Sequence, residues 1–164
     1  TTSDIAITNG LINKSSINKN NLFTLSFNIY YLASSSIITK EKKLMAEVIE
    51  YIGTPYKYGG MSKSGIDCSA FTQSVYWLSY EITLPRTAAS QFEEGEIIDK
   101  DSLEFGDLVF FHTSRRKSVG HVGIYIGGNN FVHSGRSYGV SVASLLDDYY
   151  SQHFIGAKRI FKKE

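Results

Sequence analysis

The sequence predicts an α+β fold in which N-terminal helices pack on a central antiparallel β-sheet. Apolar residues recur at helical spacing over 44–52 and again over 70–78. From residue 108 onward the pattern changes to a period of two or to short apolar runs, separated by clusters of Gly, Asn and Asp. A group of helices followed by a group of strands is typical of an α+β domain.

Composition restricts the class of protein. The chain has 164 residues, of which 42% are hydrophobic, enough for one domain with a substantial core. Its net charge is +1, which argues against a nucleic-acid partner or an anionic membrane surface. No apolar run is long enough for a transmembrane helix. We expect a monomer.

The chain divides into an N-terminal extension, residues 1–39, and a main domain, residues 40–164. The first part of the extension is polar and rich in Asn, Ser and Lys, which is typical of a loosely held segment. Residues 22–38 are more apolar, so we expect this second part to dock on the main domain.

Two helices begin the main domain. Thr39 is a candidate N-cap with Glu41 in the first turn, and Gly53 ends the helix. After the Gly-rich loop 54–66, a second helix starts near Asp67 or Cys68. A short polar helix is expected over 88–94, and the expected strands cover 108–111, 122–126, 130–132, 140–142 and 155–160.

Cys68 is the sole cysteine and stands at the predicted start of the second helix. The N–H groups and partial positive charge of a helix N-terminus stabilise a thiolate and an oxyanion. They predict a lowered pKa for the thiol, against which the neighbouring Asp67 acts. The alternative is a buried cysteine that behaves as a small apolar residue.

Two of the four histidines are candidates for the base that a thiol nucleophile needs. His121 begins one predicted strand and His133 ends the next. A Cys–His pair with a third group that orients the base is a known arrangement for acyl transfer. The alternative is that each histidine is an ordinary surface or core residue.

The register of these two strands tests the pairing. His121 and His133 are both odd-numbered. Two odd-numbered residues on adjacent antiparallel strands share a face only if the numbers of directly paired residues add up to an even sum. A plain two-residue turn at Gly128 and Asn129 pairs Gly127 with Asn130, an odd sum, and separates the histidines. If His121 and His133 act together, the loop has an odd number of residues or contains a bulge.

The segments GTPYKYGG, DCSAF, LPRTAASQ, GDLVFF and HVGIYIGGNNFVHS together resemble the NlpC-like cell-wall cysteine peptidases, including the Spr-type lipoproteins. The resemblance spans about residues 40–160 and implies a papain-like fold without a cofactor or metal. It also implies hydrolysis of peptidoglycan stem peptides, usually between γ-D-glutamate and diaminopimelate, or lysine. An exported protein is therefore expected, periplasmic, secreted or lipid-anchored to the cell envelope.

By this resemblance residues 40–164 are a catalytic domain. Cys68 matches the nucleophile, His121 the base and His133 the residue that orients it. Tyr56 matches a tyrosine whose hydroxyl assists the oxyanion.

Further positions match the substrate-binding part of the family site. Asp67 and Ser69 flank the nucleophile and match residues that recognise a free amine of the substrate. Arg86, together with Gln91, matches an element that is either structural or lines the groove.

Three other functions use the same residues. A non-catalytic module could bind peptidoglycan in the same groove, and an acyltransferase or amidase could use the same Cys/His chemistry with another acceptor. A zinc site formed by Cys68, His121 and His133 is the third, since three ligands with an open position are chemically acceptable.

Overall fold

The computed structural model describes residues 40–113 and 116–160. The extension 1–39 and the Thr39 cap lie outside the described residues. The helices are α1 (Lys40–Tyr51), α2 (Cys68–Tyr80), α3 (Ala88–Gln91) and α4 (Asp148–His153). The strands are β1 (Met61–Ser62), β2 (Gly65–Ile66), β3 (Glu96–Ile98), β4 (Leu108–Thr113), β5 (Arg116–Gly127), β6 (Asn130–Gly135), β7 (Gly139–Ser144) and β8 (Phe154–Arg159).

The strands form an antiparallel sheet in the order β3-β8-β4-β5-β6-β7, and β1 and β2 form a separate hairpin. The predicted helices-then-sheet arrangement is confirmed. The expected helix over 88–94 is wrong in its second half, because the chain turns at Gly95 (φ +70°) into the edge strand β3. The short elements β1, β2, β3 and α4 were not predicted.

One face of the sheet packs on α1 and α2. The apolar stripe of α1 buries Leu44 and Val48, and α2 buries Phe71 and Val75 against sheet residues such as Phe110. Each fully buried side chain of this size contributes about 1.5–3 kcal/mol. These contacts hold the N-terminus of α2, with Cys68, against the sheet.

The other face carries a second apolar cluster that contains Val109, Phe111, Tyr125 and Phe131. Successive residues of a strand point to opposite faces, so Phe110 and Phe111 belong to different clusters. Tyr150 of α4 packs on this second cluster, so helices cover both faces of the sheet.

Candidate active site

Asp67 caps α2 and sets the position of Cys68. Its backbone is extended, and its Oδ1 accepts a hydrogen bond of 2.8 Å from the Ala70 N–H. Such a cap satisfies an otherwise unpaired donor of the first turn. The prediction that the helix starts at Asp67 or Cys68 is confirmed.

The Asp67 carboxylate is also the centre of a polar network. Arg86 donates to both carboxylate oxygens, at 3.0 and 2.7 Å, and to the Ser69 hydroxyl at 3.0 Å. The Gly59 N–H and the Ser69 hydroxyl complete its hydrogen bonds, at 3.1 and 3.2 Å. Burial alone would raise the pKa of Asp67, but the hydrogen bonds from Arg86 and Ala70 outweigh it and hold the pKa below its ordinary value.

Gln91 stabilises the first turn of α2 through buried hydrogen bonds. It is fully buried, donates to the carbonyl oxygens of Ser69 and Pro85, and accepts from Thr72. Of the two roles considered for Gln91, the structural one agrees with these contacts.

Cys68 is 9% exposed, and its thiol contacts the backbone N–H of Val122 in β5. Burial raises its pKa to about 11 and the Asp67 charge adds to this, although N–H groups of Val122, Ser69 and Cys68 itself favour the thiolate. The expected lowering of the thiol pKa is therefore wrong for the substrate-free protein, because loss of hydration outweighs the helix N-terminus. The contact with the Val122 N–H places the sulfur beside the peptide group that follows His121.

The two histidines share one face of the sheet, as the register test required. Ile124 pairs with Val132 and Tyr125 with Phe131, both with even sums, whereas Gly127 pairs with Asn130. The bulge that reconciles them lies between Tyr125 and Gly127, so the predicted irregularity is confirmed. Gly128 (φ 59°) and Asn129 (φ 62°) form the two-residue turn in the left-handed region that such turns require.

The rings of His121 and His133 contact each other directly. His121 Nε2 lies 2.8 Å from His133 Nδ1, with the rings nearly perpendicular at 84°. The nitrogen of His121 that is not directed at His133 is therefore Nδ1. Burial lowers the pKa of His121 to about 4, and burial together with its neighbour lowers that of His133, so both rings are neutral at pH 7.

Gly135 makes room for the ring of His133, a residue that is 5% exposed. A Cβ on Gly135 would lie 2.7 Å from the ring Cε1 and 3.1 Å from Nδ1. Tyr150 closes the far side, with its hydroxyl 3.1 Å from His133 Nε2. Sequence reasoning missed Tyr150, because its segment has neither a motif nor a clear apolar period.

Tyr56 lies beside the helix start through a parallel bridge to Ile66. The guanidinium of Arg136 stands over its ring at 6.0 Å. Next to His133 is a cavity of about 490 Å³ whose lining includes Arg136, Asp147 and Tyr150. A ligand that enters this cavity meets a cation, an anion and several hydroxyl groups.

The described residues contain no group of three His, Cys, Asp or Glu side chains able to hold a metal ion. For the zinc alternative, the facing nitrogens of His121 and His133 are already directed at each other. The site instead places a buried thiol beside the strand that carries His121, whose neutral ring is hydrogen-bonded to that of His133. A thiol, an imidazole and a group that can orient the imidazole are what acyl transfer through a thioester requires. Within residues 40–113 and 116–160, no helix is long and apolar enough to cross a bilayer.

The chain is similar to known proteins along most of its length. The sequence model of the NlpC/P60 family matches residues 53–159. The probable endopeptidase NlpC homolog of Haemophilus influenzae is 40% identical over 157 residues, which are 96% of this chain and 81% of that protein. The murein DD-endopeptidase MepS/murein LD-carboxypeptidase of Escherichia coli is 37% identical over 124 residues, covering 75% of this chain and 64% of that one.

Among solved structures, an NlpC/P60 family protein from Bacillus cereus superposes with a TM-score of 0.68 at 37% identity. The match covers 73% of this chain and 40% of the Bacillus chain, so this chain spans well under half of that protein. The likeness confirms the predicted papain-like α+β fold.

Proposed function

Because this chain belongs to the NlpC/P60 family, we propose that it is a cysteine peptidase that hydrolyses peptidoglycan stem peptides. The family match also confirms the resemblance that the sequence motifs predicted. The observation that carries the proposal is the hydrogen bond between His121 and His133. His121 belongs to β5, the strand whose Val122 N–H contacts the Cys68 thiol. It supplies a base with an orienting partner next to the nucleophile.

The reaction starts from a neutral thiol and a neutral imidazole. The Cys68 proton moves to Nδ1 of His121, and the thiolate attacks the scissile carbonyl carbon. Backbone N–H groups at the start of α2 and the Tyr56 hydroxyl stabilise the oxyanion. His121 then gives the proton to the leaving amine, and a thioester remains on Cys68.

Water completes the cycle. His121 Nδ1 removes a proton from water, which attacks the thioester, and the acid product leaves with the thiol restored. His133 fixes the ring of His121 through Nδ1 and need not exchange a proton itself. In the substrate-free protein, burial disfavours the charged form of both Cys68 and His121, so we place formation of the ion pair after substrate binding.

Asp67, Ser69 and Arg86 form the proposed substrate-binding edge. Their mutual hydrogen bonds hold the Arg86 guanidinium, whose side chain is 35% exposed, whereas the Asp67 side chain is only 12% exposed. We assign contact with the substrate first to Arg86, with Asp67 and Ser69 fixing its orientation. The cavity with Arg136 and Asp147 suits a part of the stem peptide that carries both charges.

The bond we propose is the one between γ-D-glutamate and the diamino acid. The second candidate is a cross-link between stem peptides, because the Escherichia coli relative is named a murein DD-endopeptidase. Both substrates lie outside the cytoplasmic membrane, so we propose an exported protein that acts as a monomer.

The experiment compares the wild type, Cys68→Ala and Cys68→Ser on purified muropeptides of defined stem length, with mass spectrometry of the products. Ser74→Ala, on the same helix, is the matched control. We expect cleavage by the wild type and by Ser74→Ala, and none by the Cys68 variants. The masses of the fragments identify the bond.

The same assay separates the other functions. A binding module would retain muropeptides without cleaving them, and an acyltransferase would give amide products when an amine is added. Cleavage that survives in Cys68→Ala would refute the proposed nucleophile.

A further inference from the structure

Tyr150 extends the row of hydrogen bonds that begins at His121. His121 Nε2 contacts His133 Nδ1 at 2.8 Å, and His133 Nε2 contacts the Tyr150 hydroxyl at 3.1 Å. We propose that Tyr150 is a positioning residue whose hydroxyl oxygen accepts a hydrogen bond from His133 Nε2 and so fixes the tautomer of His133. Its effect on catalysis rests on the proposed function of His121.

The positions of the protons follow from the chemistry of His121. To take the thiol proton at Nδ1, a neutral His121 must carry its own proton on Nε2, which then donates to His133 Nδ1. A neutral His133 with a bare Nδ1 carries its proton on Nε2, and that N–H points to the Tyr150 oxygen.

When His121 is charged, the proton of His133 can only be on Nε2. Once His121 holds protons on both nitrogens, a proton on His133 Nδ1 would set two N–H groups against each other across 2.8 Å. The reversed tautomer also leaves His121 with a proton on Nδ1, unable to act as the base. The Tyr150 oxygen therefore supports the catalytic state when it accepts from His133.

Because His133 is buried among aromatic rings, its Nε2–H depends on the Tyr150 hydroxyl oxygen as an acceptor. The ring is 5% exposed and lies against the rings of Phe131 and Tyr150, at centroid distances of 5.2 and 5.4 Å. Without the hydroxyl, Nε2–H loses the acceptor that Tyr150 provides, and a buried donor that loses its acceptor is unfavourable.

Packing holds the hydroxyl in place. The Tyr150 ring contacts Phe111 and Phe131 edge-on, at 5.2 and 4.9 Å. Burial, with smaller contributions from Tyr149 and Asp147, raises the pKa of Tyr150 to about 12, so the hydroxyl is neutral when the base works.

The test compares Tyr150→Phe, which keeps the ring, with Tyr149→Phe as the matched control. Tyr149 is exposed and stacks on His153, and its ring also contacts that of Tyr150 edge-on at 5.2 Å. Tyr149→Phe keeps both ring contacts and removes only a hydroxyl group. For Tyr150→Phe we expect kcat/KM on muropeptides to fall about 10-fold, mainly in kcat, and a cooperative thermal unfolding transition to show that the fold is retained. The kcat profile reports the ion pair that forms after substrate binding, so its alkaline limb should move to lower pH, because the His121 imidazolium of that pair loses support.

A second readout does not depend on activity. Imidazole ¹⁵N chemical shifts should show the proton of His133 on Nε2 in the wild type and in Tyr149→Phe, and a mixture of tautomers in Tyr150→Phe. The inference is overturned if the wild-type proton is on Nδ1, or if both variants match the wild type in shifts, rate and pH profile. If instead the wild type cleaves no muropeptide, the proposed function fails, and the shifts still decide the role of Tyr150.

Discussion

Replacing Gly135 by alanine places a methyl group against the ring of His133. The added Cβ would lie 2.7 Å from the ring Cε1 and 3.1 Å from Nδ1, whereas carbon atoms in contact are about 3.5–4.0 Å apart. The ring must move by about 0.8 Å to relieve the first contact. The bond from His133 Nδ1 to His121 is 2.8 Å long, and hydrogen bonds of this kind extend to about 3.2 Å, so a shift of that size breaks it.

The expected loss follows from the value of that bond. A hydrogen bond to a charged group contributes about 1.5–3 kcal/mol, so kcat/KM for Gly135→Ala should fall about 10- to 100-fold. The backbone of Gly135 does not lie in the left-handed region, so alanine is tolerated there by the main chain. The fold should persist, because the strain falls on one ring.

The assay is cleavage of a muropeptide of defined stem, together with thermal unfolding. Gly156→Ala is the matched control in the same sheet, since its Cβ would meet Phe92 only at 3.4 Å and beyond. Wild-type activity in a folded Gly135→Ala variant would refute the assigned role of the histidine pair. So would an equal loss in Gly156→Ala.

Three further predictions concern the same site. His133→Ala should reduce kcat/KM less than His121→Ala, since in the proposed mechanism His133 only orients the ring of His121, which transfers the proton. Equal losses of the two variants measured side by side would contradict the proposed roles. In the substrate-free protein, burial raises the pKa of the Cys68 thiol to about 11, so the rate of its alkylation by iodoacetamide should increase about tenfold per pH unit up to that pH. A rate constant that is already independent of pH near neutrality would mean that the thiolate–imidazolium pair is formed before substrate binds. Asp67→Asn should lower the free energy of unfolding at pH 7 by about 1.5–3 kcal/mol through loss of the ion pair with Arg86, because asparagine can still cap the helix. The pKa of Asp67 is lower in the folded state, so its stabilisation is present above the unfolded-state pKa and is lost as the pH falls through the folded-state pKa. The free energies of unfolding of the wild type and of Asp67→Asn, measured in urea, should therefore converge in acid. A difference that does not change with pH would argue against the ion pair between Asp67 and Arg86.

The elements that could be predicted are those with a strong local signal. The apolar period of α1, the Asp67 cap of α2 and the short apolar runs of the sheet each appear in the sequence and in the structure. The bulge after Tyr125 could also be inferred, because the alternation of side chains allows His121 and His133 to meet only if the register shifts.

Other features depend on tertiary packing. The edge strand β3 has only three residues and is mostly exposed, so it is too short to show an apolar period that would distinguish it from a loop. The direction of the Cys68 pKa shift depends on how deeply the thiol is buried, which the helix start alone does not indicate. Tyr150 reaches His133 from α4 across the second apolar cluster, a contact that no sequence spacing encodes.

The most direct measurement is mass spectrometry of the intact protein after mixing with a stem peptide and rapid quenching in acid. We expect a transient mass increase equal to the acyl fragment of the cleaved peptide, located by digestion on Cys68 and absent from Cys68→Ala. Cleavage by Cys68→Ala at the wild-type rate, or an acyl group attached to a different residue, would contradict a thioester mechanism at this site.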